Sequence, residues 1–203
     1  MIIGITGGIA SGKTYCSSIF ERLGIPIYYS DDRAKLLMTD SSIIKSEIID
    51  LFGADSYNDE GQLNRPYLAR AIFNNNDLLK KMNNIVHPRV REDFMSWAKM
   101  NLTLSPYVLQ ESALIVESGS YKLLNKVILI DAPEEIRIDR AMKRDGADRQ
   151  SILDRISKQS TSAQKREVAD YIIENHENDQ IIEQIVEIHF YLCLLYTSPS
   201  PRD

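Results

Sequence analysis

A short hydrophobic segment runs directly into a glycine-rich loop near the start of the chain, and no other part of the sequence constrains the fold as strongly. Residues 7–14 read Gly-Gly-Ile-Ala-Ser-Gly-Lys-Thr, which matches the pattern Gly-x-x-x-x-Gly-Lys followed by Ser or Thr. Residues 1–6 are typical of a buried strand, and residues 15–23 are typical of a helix with one apolar face. A glycine-rich loop between such elements turns backbone N–H groups inward, so the sequence predicts a phosphate-binding loop.

Two side chains at the end of the loop add the chemistry that a nucleoside triphosphate requires. Lys13 supplies a mobile positive charge for the β- and γ-phosphates, and the Thr14 hydroxyl supplies a ligand for Mg²⁺. The nucleotide contacts that we predict in this segment are Gly8, Ala10, Ser11, Gly12, Lys13, Thr14 and Tyr15.

Length, composition and charge restrict the class of protein. A chain of 203 residues with 43% hydrophobic residues can bury the core of one domain. No apolar run reaches the ~18 residues of a membrane span and no leader pattern is visible, so we expect a cytoplasmic protein without a membrane partner. The net charge of −5 argues against nonspecific binding to nucleic acid. Cys16 and Cys193 lack metal-ligand spacing and predict reduced thiols, and we favour a monomer over an oligomer.

Further apolar runs predict four more strands. They lie at residues 25–29, 107–110, 126–130 and 171–173. Their alternation with helical stretches predicts a parallel sheet covered by helices, which is an α/β fold. The long gap before the third strand instead shows helical periodicity, at residues 41–52, 65–73, 78–86 and 88–100. We therefore predict a helical insertion at about residues 41–104.

Two segments differ in composition from the rest of the chain. Residues 137–166 carry nine Lys and Arg residues against four Asp. In an acidic protein this excess indicates either a concentrated anion site or a solvated helix face with mixed charges. Residues 193–203 lose helical periodicity and contain two prolines, so we predict a disordered tail without function.

A carboxylate follows the second predicted strand, where Ser30-Asp31-Asp32 comes directly after the apolar run. Open α/β sheets bind their ligands at the carboxyl ends of the strands. At such a position Asp31 can accept the proton of an alcohol that attacks a γ-phosphate. The alternative interpretation is a cap for a helix that starts near Arg33, a role that Asp32 also fits.

The order of these motifs resembles the dephospho-coenzyme A kinase family over nearly all of residues 1–190. The matching segments are residues 6–14, Leu23-Gly24 with Asp31 and Ala34, residues 61–68, His87-Pro88, residues 114–117, residues 140–145 with Arg149, Arg155-Ile156 with Gln159, and residues 169–175. The resemblance implies a P-loop kinase fold with three layers, a parallel five-stranded sheet, a helical insertion and a lid at about residues 137–166. It implies a single domain over residues 1–192, with residues 1–40 and 105–192 as its core.

The resemblance also implies a reaction, in which ATP phosphorylates the ribose 3′-hydroxyl of dephospho-coenzyme A in the last step of coenzyme A synthesis. Lys13 and the loop amides then hold the β- and γ-phosphates, Thr14 holds Mg²⁺, and Asp31 is the base for the 3′-hydroxyl. The lid arginines Arg140 and Arg144 neutralise charge on the transferring phosphoryl group and exclude water.

The same resemblance implies binding roles for other residues. The residues implied on the ATP side are Arg149 and Asn175, and those implied on the acceptor side are Arg65, His87 and Glu117. A structural role at the start of a helix is the alternative for His87. Glu111 either supports Mg²⁺ through a water molecule or ends a strand as an ordinary polar residue.

The sequence departs from the family pattern at four positions. Ala10 and Ala113 stand where members usually have Gly and Pro, Glu111 stands where they often have Asp, and Tyr29 replaces an additional Asp. Ala10 belongs to the phosphate loop itself. We expect an alanine to be tolerated there only if its φ angle stays negative.

Two other functions remain open at this point. Asp50-Leu51-Phe52-Gly53 matches the short Asp-x-x-Gly pattern of GTP-dependent switches, but Asn125-Lys126-Val127-Ile128 lacks the Asp of their base-reading pattern. Tight retention of GTP would favour this alternative. A kinase for another small nucleoside or nucleotide would use the same donor loop, and only a comparison of acceptors separates it from the reaction above.

Overall fold

The computed structural model describes residues 1–73, 75–176 and 180–197, with side chains as far as residue 195. The strands are β1 (Ile2–Gly7), β2 (Ile27–Tyr29), β3 (Val108–Glu111), β4 (Lys126–Asp131) and β5 (Tyr171–Glu174). The helices are α1 (Lys13–Arg22), α2 (Ser30–Asp40), α3 (Ser42–Phe52), α4 (Arg65–Ile72), α5 (Asn76–Asn101), α6 (Glu134–Asp145), α7 (Arg149–Ile156), α8 (Ser162–Val168) and α9 (Ile181–Thr197). They form two compact units, one of Met1–Tyr28 with the chain from Ala98 onward and one of Tyr29–Trp97.

A five-stranded parallel sheet forms the core of the first unit, as predicted. The strand order is β2-β3-β1-β4-β5, with β1 paired in parallel to β3 and β4, and β4 paired in parallel to β5. Edge strand β2 begins at Ile27, two residues later than predicted. Pro26 has no N–H to donate, and its carbonyl oxygen accepts a 3.0 Å hydrogen bond from the backbone N–H of Leu109.

Helices cover the sheet in the predicted three-layer α/β arrangement. On one face, Ile3 of β1 packs with Phe20 of α1 and Leu192 of α9, and all three side chains are fully buried. Successive strand residues point to opposite faces, so Gly4 points the other way. A Cβ atom on Gly4 would lie 2.4 Å from Cδ1 of Leu124, and this side chain therefore fills the space that glycine leaves.

The second unit is helical and has its own hydrophobic core. Ile44 of α3, Leu68 of α4 and Val86 of α5 are buried in one cluster. Ser41 caps α3, because its side chain accepts a hydrogen bond from the backbone N–H of Ile44. Helix α2 packs against α3 and belongs to this unit, which starts at Tyr29.

Two helix predictions in this unit were wrong. Helix α2 begins at Ser30 rather than near Arg33, which puts Asp31 inside its first turn. Helix α5 is continuous through Pro88, where we predicted two helices. Pro88 costs the helix one backbone hydrogen bond, but Val86 and Val90 on either side of it pack into the same cluster and hold both halves in one helix.

The predicted tail also requires a correction. Helix α9 extends to Thr197, so residues 193–197 are helical rather than disordered. Leu192 is fully buried and Cys193 packs against the same core, and this tertiary packing extends the helix beyond the point where its periodicity weakens. Residues 198–203 of the predicted tail lie outside the described residues.

Cys16 and Cys193 are not joined to any described residue by a disulfide bond, in agreement with the predicted reduced thiols. Burial raises the pKa of Cys16 to about 12, so this thiol stays protonated near neutral pH. None of the described helices combines the length and hydropathy that are needed to cross a membrane.

Candidate active site

The predicted phosphate loop joins β1 to α1, in the order strand, loop, helix. Gly12 has a φ angle of 97° directly before α1, which begins at Lys13. Gly7 leaves no room for a side chain, because a Cβ atom there would lie 2.4 Å from the carbonyl oxygen of Ile130. The nucleotide contacts predicted within residues 8–15 therefore all lie in this loop or in the first turn of α1.

The expectation of a negative φ angle at Ala10 was wrong. Its φ angle is +55°, in the left-handed region that glycine adopts without strain. An alanine in that region costs roughly 1 kcal/mol. Its side chain packs against a cluster formed by Ile138, Ala141 and Ile152 of α6 and α7, and these contacts offset part of the cost.

Asn175, predicted on the ATP side, lies directly on the loop. Its Nδ2 atom donates a 2.7 Å hydrogen bond to the carbonyl oxygen of Ser11. A Cβ atom on Gly12 would lie 2.1 Å from the same Nδ2, so the loop needs glycine at this point. Nη2 of Arg140 lies 3.4 Å from Oδ1 of Asn175. The structure therefore brings Arg140 and Asn175 together with the loop.

Two more residues contact the loop without having been assigned a role from the sequence. Arg137 is 7% exposed and its guanidinium lies over Gly8, where a Cβ atom would be 2.2 Å from Nη1. Oε1 of Gln159 accepts a 2.9 Å hydrogen bond from the backbone N–H of Ile9. The spacing of Arg137 and Arg140, three residues apart on one helix face, could have indicated a shared site.

The two predicted metal ligands lie next to each other. Oγ1 of Thr14 donates a 3.3 Å hydrogen bond to Oε2 of Glu111, whose side chain is almost fully buried. The β1–β3 register pairs Glu111 with Ile5 and so sets it beside the strand that leads into the loop. A hydroxyl and a carboxylate oxygen suit Mg²⁺, which also takes phosphate oxygens and water as ligands. No group of three or more His, Cys, Asp or Glu residues in the described part of the chain could hold a metal by itself.

The other lid arginines form exposed ion pairs and make no hydrogen bond to the loop among the described residues. Arg144 pairs with Asp145 at 2.7 Å, and Arg149 pairs with Glu135 at 2.7 Å. Hydrogen bonds from Arg144 and Arg155 hold the pKa of Asp145 well below its usual value. Arg144 and Arg149 are each about half exposed, so their ion pairs stabilise the fold little.

Glu117, predicted on the acceptor side, forms an ion pair with a buried lysine. Its Oε1 atom lies 3.1 Å from Nζ of Lys165, which is 2% exposed, and it accepts a 2.7 Å hydrogen bond from the backbone N–H of Ser160. Burial alone would raise the pKa of Glu117. Hydrogen bonds from the backbone N–H groups of Glu117 and Ser160, together with the Lys165 ammonium, outweigh burial and hold that pKa below its ordinary value.

A cavity of about 750 Å³ adjoins the phosphate loop within the first unit. Its wall includes Gly8 of the loop, Arg137 of α6, Asp154 of α7, Ser162 of α8 and Glu174 of β5. This volume is in the range of small-molecule sites. The residues predicted to form the lid therefore line an open space beside the loop.

In the second unit, Asp31 occupies the first turn of α2 and is exposed. It forms no hydrogen bond or ion pair with any described residue, whereas the neighbouring Asp32 pairs with Lys35 at 2.6 Å. A carboxylate in the first turn of a helix is stabilised by the helix dipole. Asp31 is thus an available proton acceptor, and the N-cap is Tyr29 rather than an aspartate.

Arg65 and His87 also belong to the second unit. Arg65 is the first residue of α4, is exposed, and has no ion-pair partner among the described residues. His87 is exposed in the interior of α5 and not at a helix start, which corrects the expected position. Although the residue is exposed overall, partial desolvation of its ring and the nearby charge of Arg91 lower the pKa of His87.

The segment that suggested a GTP-dependent switch is part of a helix. Asp50 and Phe52 end α3, Phe52 is buried in the helical core, and Gly53 follows as the C-cap with a φ angle of 90°. The glycine ends a helix here, so the short pattern has a structural explanation.

Comparisons with known proteins agree with this geometry. A family model described as dephospho-CoA kinase matches residues 1–180. A dephospho-CoA kinase from Porphyromonas gingivalis is 41% identical over 187 residues, covering 92% of this chain and 91% of its own length. A crystal structure from Thermus thermophilus has a TM-score of 0.82 at 30% identity and covers 94% of this chain and 96% of that one.

The solved dephospho-CoA kinase from Campylobacter jejuni has a TM-score of 0.72 at 25% identity, covering 95% of this chain and 97% of that one. The match extends over the sheet, the phosphate loop and the helical unit alike. The chain belongs to the dephospho-CoA kinase family.

Proposed function

We propose that this protein transfers the γ-phosphoryl group of ATP to the ribose 3′-hydroxyl of dephospho-CoA, giving CoA and ADP. The dephospho-CoA kinase family catalyses the final ATP-dependent step of CoA biosynthesis. The observation that carries the proposal is the phosphate loop in contact with Asn175 and Arg137, with Arg140 bonded to Asn175, in a chain that matches the family over residues 1–180.

The donor side of the reaction uses the first unit. Lys13 and the backbone N–H groups of the loop hold the β- and γ-phosphates of ATP. The contact between Arg140 and Asn175 beside the loop supports a catalytic role for Arg140. Arg140 stabilises the charge that develops on the transferring phosphoryl group, which is the main catalytic contribution in such a loose transition state.

Mg²⁺ accompanies the ATP in this proposal. Thr14 would hold the ion directly, and Glu111 would hold it through water, since the two side chains are hydrogen-bonded to each other. When bound, the ion neutralises charge on the β- and γ-phosphate oxygens. Both residues are hard oxygen donors, and this is what supports the assignment.

The side of the reaction that binds dephospho-CoA uses residues of the second unit, one of which takes up a proton. Asp31 takes the proton of the 3′-hydroxyl as it attacks, and its exposure and lack of a partner among the described residues support this role. Arg65 and His87 contact the phosphates of dephospho-CoA. The exposed guanidinium of Arg65 suits this role, since a planar guanidinium binds phosphate through two hydrogen bonds.

Three further assignments stay predictions. Arg144 and Arg149 would have to leave their exposed ion pairs when the lid closes, an exchange that costs little because surface pairs are weak. Glu117 would contact the acceptor only in addition to its pairing with Lys165. The cytoplasmic location, the monomeric state, and the absence of nucleic-acid and membrane partners also stay predictions from the sequence.

The position of the transferred phosphate tests the proposal. The purified protein is incubated with ATP, Mg²⁺ and dephospho-CoA, and the product is analysed by phosphorus NMR. We expect a new phosphomonoester on the ribose 3′-carbon and one ADP for each CoA formed. Phosphate at another position, or ADP formed without a phosphorylated acceptor, would contradict the proposal.

A further inference from the structure

Arg137 carries a buried charge that the reaction described above does not use. The residue is 7% exposed in the first turn of α6. Its Nε atom donates a 3.1 Å hydrogen bond to the carbonyl oxygen of Ala132. The nearest carboxylate is Glu134, 3.6 Å from Nη2, on a side chain that is 56% exposed. A buried guanidinium with so little compensation is costly unless another partner satisfies it.

The guanidinium lies directly beside Gly8 of the phosphate loop. A Cβ atom on Gly8 would be 2.2 Å from Nη1, 2.9 Å from Cζ and 3.4 Å from Cδ of Arg137. Gly8 is therefore a glycine because Arg137 occupies the space of a side chain. Both residues line the cavity of about 750 Å³ beside the loop.

The hydrogen-bond donors of Arg137 are mostly unused. A guanidinium has five N–H donors, and among the described residues Nη1 has no hydrogen-bond partner. Two other cations that line the cavity are neutralised, since Lys165 lies 3.1 Å from Glu117 and Arg166 lies 2.6 Å from Asp131. Arg137 thus differs from both in having no carboxylate within hydrogen-bond length.

We propose that Arg137 is a further phosphate-binding residue, whose Nη1 donates to an oxygen of the phosphate chain of the bound nucleotide next to Gly8. The inference rests on the proposed function, because it takes the loop to be the site of ATP. A planar guanidinium binds phosphate oxygens through strong, charge-assisted hydrogen bonds. An anion at this point also compensates the buried charge, which has only the 3.6 Å ion pair with the half-exposed Glu134 among the described residues.

The test compares ATP with adenosine, which has the same base and ribose but no phosphate. Their dissociation constants are measured by titration calorimetry, without acceptor, for the wild type, Arg137→Gln and Arg137→Lys. Arg137→Gln should weaken ATP binding by about 10- to 100-fold and leave adenosine binding within about 2-fold. Arg137→Lys keeps the charge but not the planar donors, and should lose less ATP affinity than Arg137→Gln. Lys143→Gln is the matched control, because Lys143 is an exposed cation of the same helix and should bind ATP like the wild type.

Two results would overturn the inference. One is an ATP affinity in Arg137→Gln within about 2-fold of the wild type, and the other is an equal loss for ATP and adenosine, which would mean that Arg137 only supports the fold. If the Gln variant does not fold, the same comparison for Arg137→Lys decides the question. If the wild type transfers phosphate to dephospho-CoA but the Arg137 variants bind ATP normally, only this inference is refuted. A wild type that binds ATP but phosphorylates no dephospho-CoA refutes the proposed function instead.

Discussion

The side chain of Asn175, at the end of β5, is hydrogen-bonded to the backbone of Ser11 in the phosphate loop, with 2.7 Å between Nδ2 and the carbonyl oxygen. The two residues are far apart in the sequence, and both are buried. The backbone N–H of Asn175 in turn donates to the carbonyl oxygen of Asp131 at 2.7 Å. Asn175 thus ties the loop to the ends of β4 and β5, which makes it a support of the loop.

Replacement of this amide should loosen the loop. Asn175→Ala leaves the Ser11 carbonyl oxygen without its partner, and we expect the free energy of unfolding to fall by about 1–3 kcal/mol. ADP binding should weaken in parallel. Urea denaturation and calorimetry measure both effects, with Gln180→Ala as the control because Gln180 is exposed. Unchanged stability and unchanged ADP affinity in Asn175→Ala would show that the loop holds its conformation without this residue.

The left-handed alanine in the loop leads to a paired prediction. Ala10→Gly removes a strain of about 1 kcal/mol but also loses the burial of one methyl group, worth about 0.8 kcal/mol. The free energy of unfolding should therefore change by less than about 1 kcal/mol. Ala10→Val places a β-branched residue at a φ angle of +55° and should destabilise the protein by about 2 kcal/mol. Equal stability of the Gly and Val variants in urea denaturation would argue against the strained conformation.

The ion pair between Glu117 and Lys165 should make stability depend on pH in the acidic range. The pKa of Glu117 is lowered in the folded state, so its contribution is fully present above the unfolded value of about 4.3. It is lost as the pH falls through the lower folded pKa. At pH 7, Glu117→Gln leaves Lys165 buried without a counter-charge and should cost about 3 kcal/mol.

Denaturation at a series of pH values checks this expectation. The difference between the wild type and Glu117→Gln should shrink as the pH falls from 6 towards 3. The double variant Glu117→Gln/Lys165→Met removes both charges and should recover most of the stability at pH 7. A difference that stays constant over this pH range would mean that the Glu117 carboxylate is not a source of stability.

Asp31 and Asp32 offer a matched pair of variants on one helix turn. Asp31→Asn should reduce phosphoryl transfer by about 100-fold or more, the usual contribution of a general base. ATP binding should remain nearly unchanged, because the carboxylate acts on the acceptor hydroxyl. Asp32→Asn removes an exposed ion pair with Lys35 and should keep normal turnover. Similar turnover in the two variants, measured with saturating substrates, would exclude Asp31 as the base.

Local patterns were sufficient to predict the elements around the site. The glycine-rich loop, the five apolar runs and the helical periodicity of the insertion depend on nearby residues, and the parallel sheet follows from their alternation. The sequence offered Mg²⁺ binding as one interpretation of Glu111 beside Thr14, and the pairing of β1 with β3 sets the two residues side by side. In these cases the geometry depends on only one or two elements of the fold.

The remaining features depend on contacts between distant residues. Pro88 lies inside a helix because the core of the second unit packs on both sides of it, and α9 continues to Thr197 because its buried face is held against the sheet. The positive φ angle of Ala10 is accompanied by packing against α6 and α7. The sequence could not distinguish Arg137 from the neighbouring basic residues, because only the fold brings it next to Gly8.

The most direct test of the account is a comparison of acceptors for the wild-type protein. ADP formation from ATP and Mg²⁺ is measured with dephospho-CoA, adenosine or AMP as the acceptor, and kcat/KM is determined for each. We predict a value for dephospho-CoA at least about 100-fold above the other two, since contacts to the rest of the acceptor raise the rate of transfer. Comparable values for all three acceptors, or a preference for adenosine or AMP, would contradict the assignment of dephospho-CoA as the substrate.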